Sequence, residues 1–311
     1  MKQLHITLFG KLSIKYGGCA LPACEQAKVQ ELLCYLLLHR DRSYTREMLA
    51  SLLWGSYCTT ALSKKYLRNA LWRLQAVFNA QPEIAGSGLL VVEPGWVQLR
   101  SVAGLRLDVA AFEAAYTAVR GRAGASLDEQ SARTLEESVQ LYRGDLLEDC
   151  YSEWCLCERE RLLQIYLTML DKLVDYCRAH ARYEEGLSYG RGILRYDRAR
   201  ECTHQQMMQL YYLNGDRTGA LRQYVQCVDA LKEELDVGPA RSTARLYQQI
   251  REDHLYQPAD EPTEGARSDS PARQIIHHLR QLHTSLKDVQ LQVQRVTEAA
   301  ERAFEDPSDT E

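Results

Sequence analysis

Residues 61–78 read ALSKKYLRNALWRLQAVF, a stretch in which apolar side chains recur every three or four positions. That spacing predicts an amphipathic helix. Its buried stripe comprises Leu67, Ala70, Leu71, Leu74 and Phe78. At about 100° per residue, the face opposite the stripe has no acidic side chain and consists of Lys65, Arg68, Asn69, Trp72 and Arg73.

This basic face has the chemistry of a helix that reads DNA. A helix fits the major groove, where Arg and Asn make bidentate hydrogen bonds with guanine and adenine, and Lys contacts phosphates. The alternative is a plain solvated face, which is the commonest reason for a cluster of charges. Trp72 also has two interpretations, because an exposed Trp either stacks on a sugar and base or packs against a neighbouring domain.

The segments before this helix predict the beginning of a winged helix. Residues 4–16, LHITLFGKLSIKY, alternate apolar and polar side chains and indicate two strands with a turn at Gly10 and Lys11. Apolar positions at helical spacing predict a helix from Lys28 to His39. A second helix is expected after Thr45, its N-cap, and ends at Trp54 and Gly55.

The segment after the basic helix predicts the wing. Residues 89–100, LLVVEPGWVQLR, indicate a β-hairpin around Pro94 and Gly95. Trp96 lies just past its tip, where it can add contacts beside the groove. The order helix, turn, basic helix and hairpin is that of a winged helix.

The charges are divided unequally along the chain. The 311 residues carry a net charge of −4, but residues 1–106 hold 13 Lys and Arg against 6 Asp and Glu, a net +7. The remaining residues hold 25 against 36, a net −11. This asymmetry indicates a basic binding module joined to an acidic partner module.

From Asp108 to Asp253 the patterns are helical throughout. Residues 181–190 align with residues 215–224 at an offset of 34, which is the tetratricopeptide period. The small residues at 181 and 215, and at 186 and 220, are expected where paired helices approach closely. Helical repeats of this kind are also a surface for a further protein partner.

The C-terminal residues predict a linker and a coiled coil. Residues 258–270 are rich in Pro, Ser, Asp and Glu and have no periodicity. Beyond them an apolar seam with spacings of 4 and 3 predicts self-association through one helix. The seam includes Ile275, Leu279, Leu282, Leu286, Val289, Val293 and Val296. The alternative is that this helix folds back on the repeats of its own chain.

Several classes of protein are disfavoured. The longest apolar run has seven residues, too few for a membrane span, and no phosphate-binding G-x-x-x-x-G-K-[ST] sequence occurs. The G-x-S-x-G match at residues 186–190 lies inside a predicted repeat helix, unlike a hydrolase elbow. Ten scattered cysteines indicate free, mostly buried thiols in the cytoplasm; Cys155 and Cys157 would face different sides of a helix. We predict no catalysis, no cofactor and no metal.

Five short sequences give the chain a family resemblance. They are Leu53-Trp54-Gly55, the helix pattern ending in Arg73-Leu74, Pro94-Gly95-Trp96, Leu141-Tyr142-Arg143-Gly144-Asp145, and GDRTGALRQYVQCVDALKEELDVGP at residues 215–239. Over about residues 4–253, the sequence resembles the SARP-type (antibiotic regulatory protein) transcriptional activators. These combine an OmpR/PhoB-type winged helix with a tetratricopeptide-like bacterial transcriptional activator domain.

The resemblance implies an activator that binds promoter repeats on double-stranded DNA as an oligomer and recruits RNA polymerase, in the nucleoid of a bacterial cell. By position, the DNA-binding residues are Lys64, Lys65, Arg68, Asn69, Trp72 and Arg73, with Trp96 on the wing. The loop expected to touch the polymerase is Gly55, Ser56, Tyr57, Cys58, Thr59 and Thr60.

We therefore predict a mainly α protein with a small β part. It has a winged helix at residues 1–106, a tetratricopeptide-like activator domain at 107–256, a linker at 257–272 and a coiled-coil helix at 273–305. The competing function is a protein-interaction scaffold whose winged helix has lost its DNA affinity.

Overall fold

The computed structural model describes residues 3–21, 26–55 and 58–254. Ser56 and Tyr57 of the expected polymerase loop lie outside the described residues, as do the predicted linker and the coiled-coil helix with its seam. None of the helices in the described ranges is long and apolar enough to cross a membrane.

A four-stranded sheet opens the chain. β1 (Leu4–Thr7) pairs antiparallel with β2 (Ser13–Tyr16), which pairs with β3 (Cys19–Ala20). The alternation of buried and exposed residues along β1 and β2 confirms the predicted pair of strands. The other edge of β1 is covered by the parallel strand β7 (Leu105–Leu107), which the sequence pattern did not predict.

Three helices and a short fourth one follow the sheet. They are α1 (Ala27–Leu38), α2 (Arg46–Trp54), α3 (Thr60–Asn79) and α4 (Pro82–Ala85). The hydroxyl of Thr45 accepts the backbone N–H of Met48 and caps α2, as predicted. α3 packs on α1 and α2 through its buried stripe, so the predicted faces of this helix are confirmed.

The wing is a second small sheet. β5 (Leu90–Val92) and β6 (Trp96–Leu99) form the predicted antiparallel hairpin. β6 also pairs with β4 (Ser43–Thr45), the extended residues directly before α2. The wing is therefore attached to the start of α2 by a β ladder.

The rest of the described chain is helical, as predicted. Successive helices pack against one another: α5 (Asp108–Val119), a 3₁₀ turn (Gly124–Ser126), α6 (Glu129–Val139), α7 (Glu153–Ala179), α8 (Tyr183–Leu194), α9 (Glu201–Leu213), α10 (Arg217–Leu235) and α11 (Arg241–Arg251). Phe9 and Leu146 add one isolated β-bridge between this region and the first sheet.

The repeat is visible in the packing of α8, although one predicted detail is wrong. A Cβ at Gly186 would lie 3.0 Å from a methyl carbon of Leu210, and Ala220 is fully buried, so these positions are close approaches. Ala181 and Gly215 instead have φ angles of 55° and 78°, in the turns that precede α8 and α10. At these two positions the backbone has left-handed φ angles, which glycine adopts most readily, and the chain reverses direction between two helices.

The N-terminal part (residues 3–107) and the helical part (residues 108–254) share one hydrophobic core, which runs from Leu4 to Leu210. The carboxylate of Asp108 accepts the backbone N–H groups of Leu8 and Phe9. Three backbone hydrogen bonds extend this contact: Gly10 donates to the Asp145 carbonyl, Leu147 to the Leu8 carbonyl and Glu148 to the Gly10 carbonyl. The described residues form one compact unit.

Candidate nucleic-acid interface

The outer face of α3, defined as Lys64, Lys65, Arg68, Asn69, Trp72 and Arg73, is exposed at every one of these residues. The opposite side is anchored in the core, where Leu67, Leu71 and Leu74 are almost completely buried. Because the buried stripe holds the helix in place, the six outer side chains project together into solvent.

Lys64 differs from the other cations of this face. Its ammonium nitrogen lies 2.9 Å from a carboxylate oxygen of Glu47 on α2, and this hydrogen bond holds the pKa of Glu47 below its ordinary value. Among the described residues, Lys65, Arg68 and Arg73 have no ion-pair partner. The unneutralised positive charge of α3 therefore lies on these three side chains.

Trp72 is 67% exposed, and no aromatic partner for its ring is found in the described ranges. Packing against another region of residues 3–254 is therefore not its role. Leu62 and Tyr66, each 42% exposed, extend the same side of α3 with apolar surface. Neither residue was among the predicted DNA-binding residues, although a large apolar residue on the polar side of an amphipathic helix is a signal that the sequence contains.

The wing lies beside the start of α2. Trp96, half-buried, stands opposite Thr45 in the ladder, and the Gly95 carbonyl accepts the backbone N–H of Arg46. Glu93, Pro94 and Gly95 are exposed at the tip. The tip is thus the accessible part of the wing, whereas Trp96 is half-buried and belongs to the ladder with β4.

The loop between α2 and α3 is described at Gly55, Cys58 and Thr59. Thr60, predicted as the last residue of this loop, is instead the first residue of α3. The Cys58 N–H donates to the Trp54 carbonyl, which ties the loop to the end of α2. Thr59 occupies the N-cap position of α3, but its hydroxyl makes no capping hydrogen bond. Thr59 and Thr60 are exposed.

Cys155 and Cys157, whose spacing in the sequence comes closest to a cysteine motif, do not form a common site. Cys155 is completely buried, whereas Cys157 is exposed rather than buried. Within residues 3–21, 26–55 and 58–254, no group of three or more His, Cys, Asp or Glu side chains could hold a metal ion.

A buried carboxylate that no sequence pattern indicated links α1 to the helical part. Glu31 is 5% exposed; it accepts hydrogen bonds from the Ser152 hydroxyl and the Trp154 indole N–H and pairs with Lys28 at 2.7 Å. The Trp154 ring also meets Tyr35 edge to face at 5.2 Å. These contacts fix α1, on which α3 packs, against the start of α7.

Known proteins resemble the chain in sequence and in fold. Residues 107–251 match the family described as the bacterial transcriptional activator domain. Over 273 residues the chain is 26% identical to the regulatory protein AfsR of Streptomyces griseus, covering 87% of this chain and 27% of AfsR. It is 23% identical to the transcriptional regulatory protein MoaR1 of Mycobacterium tuberculosis, covering 79% of each.

A solved structure shows the same fold. Mycobacterium tuberculosis EmbR, determined in complex with a low-affinity phosphopeptide, superposes with a TM-score of 0.70 at 20% identity. The match covers 83% of this chain and 67% of the EmbR chain. The predicted class, mainly α with a small N-terminal β part, is confirmed by this likeness.

Proposed function

Because this chain is a member of the SARP-type transcriptional regulators, we propose that it binds promoter DNA through the outer face of α3 and activates transcription. The observation that carries the proposal is this face itself, which is exposed, contains unneutralised cations and is set on a helix anchored in the core. Such a regulator acts on nucleoid DNA in the bacterial cytoplasm.

The residues of this face divide between two kinds of contact. Arg68 and Asn69 are adjacent, exposed and able to make bidentate hydrogen bonds, so we assign them to base edges. Lys65 and Arg73 flank them and neutralise phosphates. Leu62 and Tyr66 supply apolar surface of the kind that contacts thymine methyl groups. The exposed wing tip contacts the sugar–phosphate backbone of the DNA beside the major groove.

Arg68→Ala should weaken binding to a preferred site by about 1–3 kcal/mol and relax base preference, because a base-reading contact is lost. Lys65→Ala should weaken binding to all sequences alike and flatten the salt dependence. The preferred site would be selected from randomised duplexes with the intact chain, and affinities measured by fluorescence anisotropy at several salt concentrations.

Arg191→Ala is the matched control, since Arg191 is an exposed arginine on α8, away from α3. It should leave binding unchanged. Salt-independent binding, or indifference to both α3 substitutions, would overturn the proposal and favour the protein-interaction scaffold. The intact chain is required because the N-terminal and helical parts share their core.

Recruitment of RNA polymerase is assigned to the loop between α2 and α3. Tyr57→Ala combined with Thr59→Ala should abolish activation in a purified transcription assay and leave DNA affinity unchanged. Thr59 makes no capping hydrogen bond, so its loss should not weaken α3. For comparison, Thr45→Ala removes a hydroxyl that does cap α2, and it should lower the free energy of unfolding by about 1 kcal/mol. Loss of DNA affinity in the loop variant would show that the loop only supports the fold.

Binding to promoter repeats would involve more than one copy of the chain. The predicted C-terminal helix, which lies outside the described residues, is our candidate for this self-association. The helical part remains a candidate surface for a further protein partner.

A further inference from the structure

The exposed face of the first sheet carries a row of basic side chains. His5 of β1 stands opposite Lys15 of β2 on one side and opposite Arg106 of β7 on the other. Residues that stand directly opposite one another project from the same face of a sheet, and all three of these are exposed. We call His5, Lys15 and Arg106 the cationic row. The contacts proposed for α3 and the wing do not use it.

No acidic side chain neutralises the cationic row. Residues 1–24 and 101–107, which contain all four strands of the sheet, include no Asp or Glu. Within residues 3–21, 26–55 and 58–254, none of the three basic side chains has an ion-pair partner. Lys64 of α3, by contrast, is paired with Glu47. The charge of the row therefore remains available to an anion outside the chain.

The side chains around the row on this face are small or polar. Thr7 and Ser13 stand opposite each other, two residues further along β1 and β2. Ala20, in register with Lys15, contributes only a methyl group. The centres of protein–protein interfaces are apolar and rich in aromatic side chains, whereas basic and hydroxyl side chains are those that contact phosphates. The composition of this face therefore favours a phosphate-rich partner over a protein surface.

The cationic row and the outer face of α3 are separate surfaces. α3 packs on α1, α2 and α4, whereas β1 and β7 pack on α5. The inward side chains of β1 and β2, among them Ile6 and Ile14, are buried in the core, so the row points away from the core. A chain whose α3 is occupied by a promoter site therefore still has a free cationic surface.

We propose that the cationic row binds the phosphate backbone of a second segment of duplex DNA while α3 holds the promoter site, an inference that rests on the proposed function. Lys15 and Arg106 lie two strand spacings apart, about 10 Å. Each strand of a duplex carries one phosphate charge per about 3.4 Å of helix axis. The two long side chains therefore contact phosphates of one strand, and the His5 ring and the hydroxyls of Thr7 and Ser13 donate further hydrogen bonds.

A second DNA contact changes what the regulator does to its promoter. The row reads no base, because phosphate contacts carry no direct sequence information. Each copy bound to a promoter repeat presents one row, so several copies together hold a second segment that a single row would bind weakly. The regulator would then fold the DNA that flanks its repeats back against the sheets of the bound copies.

The first test follows lysine reactivity in the intact wild-type chain by limited acetylation and mass spectrometry. One equivalent of a short duplex with the preferred site should protect Lys65 severalfold and leave Lys15 reactive. An excess of a second duplex of unrelated sequence should then protect Lys15 severalfold, while Lys232, exposed on α10, stays reactive throughout. An unprotected Lys15, or its protection by the first duplex, would overturn the second contact. An unprotected Lys65 would instead contradict the proposed function.

The second test measures capture of a labelled duplex of unrelated sequence by chains bound to an immobilised duplex that carries repeated preferred sites. Lys15→Gln combined with Arg106→Gln should lower this capture about tenfold, because two phosphate contacts are lost. Its affinity for one preferred site should stay within about twofold of the wild type. In the wild type, the affinity of the captured duplex should fall with salt with a logarithmic slope of about −2, as for two neutralised phosphates.

Arg191→Gln combined with Arg222→Gln is the matched control, since both arginines are exposed on helices and the loss of charge is the same. It should capture the second duplex as the wild type does. Undiminished capture by the variant of the cationic row would refute the proposal. A change in its sedimentation without DNA would show that the row binds a second copy of the chain instead, which would also overturn the DNA assignment.

Discussion

Asp108→Ala should lower the free energy of unfolding by about 2–3 kcal/mol. Asp108 is the first residue of α5, and its two carboxylate oxygens accept the N–H groups of Leu8 and Phe9 at 2.9–3.0 Å. Leu8 and Phe9 are buried, so alanine would leave their N–H groups without acceptors or solvent. Burial raises the pKa of Asp108, which means that desolvation of the carboxylate offsets part of what these bonds contribute.

The measurement is equilibrium unfolding in urea. Asp128→Ala is the matched control: Asp128 caps α6 by accepting the Ser131 N–H, but its side chain is largely exposed. It should cost only about 1 kcal/mol, as other N-cap losses do. Equal losses in the two variants would show that the bonds of Asp108 to Leu8 and Phe9 add no more than an ordinary helix cap does.

Gly124→Ala should cost about 3 kcal/mol, at the upper end of the range for overpacked cores. Gly124 begins the 3₁₀ turn that packs on α7. An added Cβ would overlap the Lys172 carbonyl oxygen and lie 2.7 Å from the Asp175 Cβ and 2.9 Å from the Lys172 Cα. Two of these three atoms belong to the backbone of a long helix, so the turn itself would have to move away.

Gly238→Ala provides the comparison, because nothing lies within 4 Å of a Cβ at that position and its φ is not in the left-handed region. Its effect should stay within about 0.5 kcal/mol. Thermal unfolding of both variants, followed by circular dichroism, would measure the difference. A wild-type melting curve for Gly124→Ala would contradict the packing of the turn on α7.

The elements that could be predicted are those with enough residues to show a period. α3, with six buried positions over 20 residues, and the hairpin around Pro94 and Gly95 were predicted correctly. β3 and β7, with two and three residues, are too short for an alternation to be seen. β7 also pairs with β1 from about 100 positions away, and no local pattern indicates such a partner.

The exposed residues of the candidate interface could also be predicted, because the period of one helix determines which of its side chains face solvent. The ion pairs and hydrogen bonds formed with other segments could not be predicted. The Lys64–Glu47 pair joins two helices, and the Glu31 contacts join residues more than 120 positions apart.

The shared core also constrains how this chain can be recombined with others. A graft that exchanged only residues 1–106 would replace the partners of Asp108, Asp145 and Leu147 and expose the core along its middle. A graft cut after residue 254 would carry the whole compact unit across intact. For anyone building hybrid regulators, the exchangeable cassette is the winged helix together with its helical repeats.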